Sequence, residues 1–218
     1  MYIEIIVKEL YALGVGHSTP LFVEIAEAAG WHVAGLYHYN DERTGEIDHG
    51  FEILGSFDDL YHQDISGKCY LPTMGDMSIR QEVISNLLKR GAAIPTIIHP
   101  SAHISRFASV DEQGVIIGDR VEIQSDVIVN KNVIIRSDVT VCHNTTIKHD
   151  VFIGPKALVG AYITIDEFAY IGQASLLISG KAEHVGANSL VGAGAMVTKP
   201  VPENVVVIGS PARVLNSR

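Results

Sequence analysis

The sequence predicts a two-part fold, an α/β unit followed by an all-β parallel solenoid, and three observations carry that expectation. Apolar segments in the order strand, turn, helix, strand run from Glu9 to about Pro95. Past Pro100 the apolar spacing changes to six, which belongs neither to a helix nor to an alternating strand. Of the 218 residues, 47% are hydrophobic, enough for a packed core in each part. The expected domains are residues 1–96 and 97–218.

The first eight residues read as an extra strand or arm. ELYALGVG then reads as a buried strand, TPLFVEIAEAAG as a helix stopped by Gly30, and HVAGLY as a second strand. KCYLPTMG and SIRQEVISNLLKRGA read as a further strand and an amphipathic helix ending in Lys89, Arg90 and Gly91. The turn after the first strand is Gly14-Val15-Gly16-His17-Ser18. Glycines between a strand and a helix N-terminus let backbone N–H groups approach a phosphate. The full G-x-G-x-x-G spacing is absent because Pro20 and Leu21 follow, which disfavours a dinucleotide. The plain alternative is a tight turn with no ligand.

In the second part, every sixth residue from Ile117 gives Ile123, Val129, Ile135, Val141, Ile147, Ile153, Val159, Ile165, Ile171 and Leu177. Small or polar residues tend to fill the positions between. This is the period of a β-solenoid whose short strands bend every six residues; three hexads close one triangular coil and the aliphatic residues stack as a continuous core. Upstream, Ile104 and Val110 keep the period, and one extra residue before Ile117 shifts it. Downstream, KAEHVGAN is two residues too long, which predicts a bulge or small loop before SLVGAG and AMVTKP resume.

A formal charge of −9 with no basic block argues against nucleic acid and anionic membrane surfaces as partners and favours a small soluble ligand. MYIEIIVKELYALGVG lacks the organisation of a secretion signal, and no apolar run reaches the roughly 20 residues that span a bilayer, so a cytoplasmic location is expected. Cys69 and Cys142 match no metal-ligand spacing and read as free thiols, with Cys142 a bystander beside His143. No metal is expected.

The GVGH turn, the GDMSIR segment, the junction IIHPSAHIS, the hexad array and the ending VGAGAMVTKPVPENVVVIGSPARV together resemble one family. It is that of the sialic acid O-acetyltransferases and nucleotide-aminosugar N-acetyltransferases. The resemblance covers nearly the whole chain from Glu9; the junction and the C-terminal run are its specific parts. It implies a Rossmann-like N-terminal domain that holds a nucleotide-linked amino sugar. It also implies a left-handed parallel β-helix that binds acetyl-CoA between neighbouring subunits of a homotrimer.

In such enzymes a histidine in a hexad of the type aliphatic-x-His-acid deprotonates the acceptor. VTVCHN offers His143 with Asn144, and TTIKHD offers His149 with Asp150. Matching His143 lets the hexads VFIGPK, ALVGAY, ITIDEF and AYIGQA follow the family pattern without a gap. Matching His149 requires one hexad added before it and one removed after, a slip that turns it onto the next face of the triangle. His143 is therefore preferred as the general base and His149 with Asp150 is the runner-up. Asn144 orients an imidazole by hydrogen bonding but lends no charge to an imidazolium.

The resemblance also assigns binding positions. A second histidine, often found nine residues later near the thioester, falls here on Phe152. Ala161 is the position of the backbone donor to the developing oxyanion. Gly192, Ala193 and Gly194 leave room for a pantetheine arm, and Lys199 and Arg213 supply charge for the nucleotide phosphates of acetyl-CoA. Gly14, Gly16 and His17 match the sugar-nucleotide turn, with Leu13 where its first glycine is expected. The aspartate usual after the second strand falls on His38, for which Asn40 or Asp41 substitutes. Arg80 either serves phosphate binding or is a helix surface charge. Each position has a plain alternative: tight solenoid turns for the small residues, solvated surface for the basic ones.

The activity so implied is acetyl-CoA-dependent N-acetylation of a nucleotide-linked amino sugar, in surface polysaccharide or glycan synthesis, by direct transfer. O-acetylation of a sugar such as sialic acid would use the same base. A non-catalytic solenoid that only binds is the reading from a different class.

Overall fold

The computed structural model describes residues 8–218. The extra strand or arm expected over the first eight residues lies outside the described residues, apart from Lys8, which opens the first strand. The chain divides into two compact units, one ending at Pro95 and the other starting at Thr96.

The N-terminal unit is built from β1 (Lys8–Leu13), α1 (Thr19–Ala28), β2 (Trp31–His38), β3 (Ile47–Asp48), β4 (Phe51–Ser56), α2 (Phe57–Tyr61), β5 (Tyr70–Pro72) and α3 (Met77–Lys89). The sheet order is β3-β4-β2-β1-β5, parallel except for the β3–β4 hairpin. Its parallel strands lie in the order third, second, first, fourth, as in doubly wound sheets. The sheet is buried: Leu10, Leu13, Val33, Leu36 and Ile53 are closed off, as are Phe22, Val23, Ile25 and Ala26 of α1. Pro20 fits the first turn of α1, where its missing N–H would have no partner, and Asp76 caps α3 by accepting the Ser78 and Ile79 N–H groups at 2.9 and 3.1 Å.

The second unit is a three-sided parallel β-helix of two-residue strands, β6 (Ile97–Ile98) through β22 (Met196–Val197). Pairings such as Glu122↔Thr140 and Thr140↔Leu158 advance by three hexads, so each coil stacks directly on the last. A first face carries β13 (Thr140–Val141), a second β14 (Thr146–Ile147) and a third β15 (Phe152–Ile153). The third face is extended by β23 (Val205–Gly209) and closed by β24 (Ala212–Ser217), which turns back on it antiparallel. The seven-residue step from Val110 to Ile117 and the eight-residue step from Leu177 to Val185 fall between strands, where the chain bulges without losing register.

The core differs from the expectation in one respect. Besides the ladder from Ile117 to Leu177, a second inward column runs through Val121, Val127, Val133, Val139 and Val151, all buried. These are corner residues, not the small or polar fillers anticipated, because the bend at each corner turns their side chains inward. Each such burial contributes about 1.5–3 kcal/mol of transfer free energy. Just before them the corner backbone is left-handed, at φ 59° for Asp126, 62° for Asn132 and 57° for Asn144. Asn and Asp tolerate that conformation because their short polar side chains bond locally.

Candidate active site

His143 stands on the edge between the first and second faces. Its Nδ1 lies 2.9 Å from Asn144 Oδ1. With that amide oxygen as acceptor, Nδ1 carries the hydrogen and Nε2 keeps the lone pair that a base requires. The His143 backbone is held from both neighbouring coils: its N–H donates to Gln124 Oε1 at 3.1 Å and its carbonyl accepts from the Tyr162 N–H at 3.2 Å. At this corner the inward valine column is broken by Thr145, fully buried, whose hydroxyl donates to the Gly160 carbonyl of the next coil at 2.9 Å. Burial, with a contribution from Glu122, raises the pKa of Cys142, which disfavours the thiolate and fits a bystander.

His149 stands on the next edge, between the second and third faces. Its Nδ1 is 2.8 Å from Oδ2 of Asp150, a carboxylate only 1% exposed whose other oxygen has no hydrogen-bond partner among the described residues. Locally this is the stronger dyad. The two edges differ above the histidines. Stacked over His143 are Ala161, Ser179 and the exposed Lys199. Stacked over His149 are Glu167, Ala187 and Glu203, with Asp166 alongside. Lys148 bridges to Asp166 at 2.7 Å and Glu167 at 3.6 Å. The coils above His143 thus present a cation, and those above His149 carboxylates that Lys148 offsets in part.

The remaining solenoid candidates spread over the triangle. Ala161 shares the His143 edge, but its N–H donates to Ser179 Oγ at 2.8 Å. Gly192, Ala193 and Gly194 lie on the edge between the third and first faces. There a Cβ on Gly192 would come within 2.8 Å of Ile208, and one on Gly172 within 2.6 Å of the Ala193 nitrogen. Coil packing therefore accounts for Gly172 and Gly192, whereas a Cβ on Gly194 meets nothing and it is its φ of 67° that favours glycine. Phe152 is buried on the third face, stacked on Tyr170 at 4.7 Å, and Arg213 projects from β24.

In the N-terminal unit, Gly14, Gly16, His17, Thr19, Tyr39 and Thr73 line a cavity of about 430 Å³ at the start of α1. Gly14 has φ 98°, and a Cβ there would sit 3.1 Å from Thr73 Oγ1. Thr19 fastens the turn: its hydroxyl donates to the Gly14 carbonyl at 2.8 Å and accepts the Gly16 N–H at 3.0 Å. His38 and Asn40 do not line this cavity. His38, the last residue of β2, is buried with its Nδ1 2.7 Å from Asn40 Oδ1, and the exposed Tyr39 just past the strand lines the cavity in their place. Arg80 is fully buried, its Nε directed at the Pro72 carbonyl at 3.4 Å, and is no surface charge.

Sequence reasoning missed Tyr162, Gln124, Ser179, Thr19, Thr73 and Tyr39. For the solenoid residues a signal was present: one coil is three hexads, so the neighbours of His143 lie about eighteen residues before and after it.

No family model matches the sequence. Perosamine N-acetyltransferase from Caulobacter crescentus, solved as a histidine-to-asparagine variant in complex with CoA and GDP-perosamine, superposes at a TM-score of 0.87. That likeness covers 97% of this chain and 98% of the other, at 25% identity. The acetyltransferase domain of PglB from Neisseria gonorrhoeae, in complex with acetyl coenzyme A, superposes at 0.85 over 96% of this chain and 100% of the other, also at 25% identity. GDP-perosamine N-acetyltransferase from Escherichia coli is 29% identical over 181 residues, 82% of this chain and 81% of the relative.

Over most of its length the chain is similar to perosamine N-acetyltransferases. The first curated relatives it matches are aligned over less than half of their own length. Among them, galactoside O-acetyltransferase from Escherichia coli is 29% identical over 106 residues, 49% of this chain and 45% of the relative. Among the described residues there is no cluster of three metal-ligating side chains, and no helix is long and apolar enough to cross a membrane.

Proposed function

We propose that this protein transfers an acetyl group from acetyl-CoA to the amino group of a nucleotide-linked amino sugar, with His143 as the general base. The observation that carries the choice of base is the stack His143, Ala161, Ser179, Lys199 along one edge, free of carboxylates where its counterpart over His149 carries Glu167 and Glu203. The acceptor class follows the GDP-perosamine N-acetyltransferases that align over most of this chain.

In this reading the acceptor nitrogen attacks the thioester carbon as His143 Nε2 takes its proton. The tetrahedral adduct then collapses to amide, and the same proton goes from the imidazolium to the departing CoA sulfur. A placed base contributes about 10²–10⁴-fold. The Ala161 N–H serves the oxyanion once the Ser179 hydroxyl turns aside, and Lys199 faces the CoA phosphates. The cavity at Gly14, Gly16 and His17 holds the sugar nucleotide by phosphate contact at the N-terminus of α1.

The candidates at Phe152, Gly192, Ala193, Gly194 and Arg213 lie away from the His143 edge of their own chain. They fit one ligand together with His143 only if a neighbouring copy supplies them, which supports a homotrimer with shared sites. Left-handed winding, a Rossmann-like nucleotide domain, kinship with the sialic acid O-acetyltransferase type and a cytoplasmic location belong to the same proposal. A second reading, O-acetylation of a sugar, is favoured by the match to galactoside O-acetyltransferase.

The test is release of CoA thiol from acetyl-CoA with a panel of GDP-, UDP- and dTDP-linked amino sugars, then with hydroxyl acceptors. Release that depends on one amine supports N-acetylation. Release with hydroxyl acceptors alone moves the assignment to the second reading, and failure to bind acetyl-CoA leaves a binding solenoid.

A further inference from the structure

We propose that Tyr162 is a positioning residue for His143, a wall that fixes the imidazole where no carboxylate does so. The inference rests on the general-base reading of His143. Tyr162 occupies the left-handed corner position at φ 60°, where Asp126, Asn132, Asp138, Asn144 and Asp150 stand at other corners and Arg120, Lys156, Phe168 and Ala174 at the rest of the solenoid's early and middle ones. An aromatic side chain is strained there, and such strain persists where the residue's contacts hold it in place. Burial is not that contact, because Tyr162 is 66% exposed. Its ring instead meets the His143 ring at 5.3 Å between centroids and at 90°, while its N–H holds the His143 carbonyl at 3.2 Å.

The need for such a wall follows from Asn144. One neutral hydrogen bond to Nδ1 leaves the imidazole free to swing about the line of that bond, whereas a charge-assisted bond would hold it more firmly. A ring standing at right angles blocks the swing and keeps Nε2 on the side where the acceptor must approach. Phe168 makes the corresponding contact with His149 on the next edge, at 5.9 Å and 89°, and provides an internal control.

The experiment compares Tyr162→Asn, Tyr162→Phe and Phe168→Asn. Asn is favoured in the left-handed position, so Tyr162→Asn is expected to melt no lower than wild type. Its kcat is expected to fall about tenfold through misorientation, with KM for either substrate little changed. Tyr162→Phe restores the ring and holds kcat within about twofold, as does Phe168→Asn. Nitrogen NMR of the histidine rings gives a readout without substrate. His143 is expected to show a dominant Nδ1–H tautomer in wild type and Tyr162→Phe, and averaged nitrogens in Tyr162→Asn. Either a kcat within about twofold of wild type or an unchanged tautomer signal in Tyr162→Asn overturns the proposal. A His143→Ala protein that keeps full activity overturns the base reading instead.

Discussion

His143 and His149 hold the same place in consecutive hexads, yet they stand on different edges of the triangle and under opposite charge. The first binds an amide oxygen at 2.9 Å and the second a buried carboxylate at 2.8 Å. Judged by its partner alone, His149 is the better base. In the proposed reading the coils above reverse that order, since Lys199 tops the first edge and Glu203 the second. A carrier bearing several phosphates is placed by the field of the whole edge, whose charges sum over its length.

Replacing Asn144 with Asp tests how the base is tuned. A carboxylate beside Nδ1 stabilises imidazolium by its charge, so the acid limb of kcat/KM is expected to move to higher pH. Asp is tolerated at the φ 57° of this corner, so melting temperature should hold. An unmoved acid limb in Asn144→Asp would mean that another group titrates there.

Lys199→Glu tests the path of the cofactor. The variant is expected to raise KM for acetyl-CoA about tenfold at low salt while leaving kcat nearly unchanged, and added salt should narrow the difference. Thermal stability should not move, because Lys199 is exposed. A KM equal to wild type at low salt would take the phosphates off this edge.

The hexad period announced the solenoid because each inward aliphatic residue from Ile117 to Leu177 sits on a strand. The corner column through Val121 and Val139 was hidden by the same period, since residues two before each ladder position look like fillers until the bend is seen. The β3–β4 hairpin and α2 escaped because FEILGS is flanked by Gly50 and interrupted by Gly55, which break the alternation that marks a strand. Within the site, His143 and Asn144 were legible as neighbours in sequence. Gln124, Tyr162 and Ser179 were not, since stacking a coil higher or lower sets contacts between residues about eighteen apart. His38 was legible as a position but not as a buried side chain, which depends on which way the strand end turns.

Acid lability should trace to the ladder that ties three coils together. Asp166 is bonded by Lys148 and by His184 Nε2, and although burial pushes its carboxyl upward, these partners outweigh burial and hold its pKa below the usual range. A depressed folded pKa contributes stability that is present above the unfolded value of about 3.9 and lost as pH falls through the folded value. Asp166→Asn is therefore expected to melt lower than wild type at pH 7, by about 1 kcal/mol or less given the exposed Lys148, with the gap closing below about pH 4. Melting curves across that range check it; a gap that persists in acid would mean that packing, not charge, is lost.

The most direct measurement is acceptor-dependent CoA release by His143→Ala and His149→Ala beside wild type, under saturating acetyl-CoA. A base on the His143 edge predicts a loss of about 10²–10⁴-fold in the first variant and near-normal turnover in the second. The reverse pattern would contradict it and move the chemistry to the Asp150 edge.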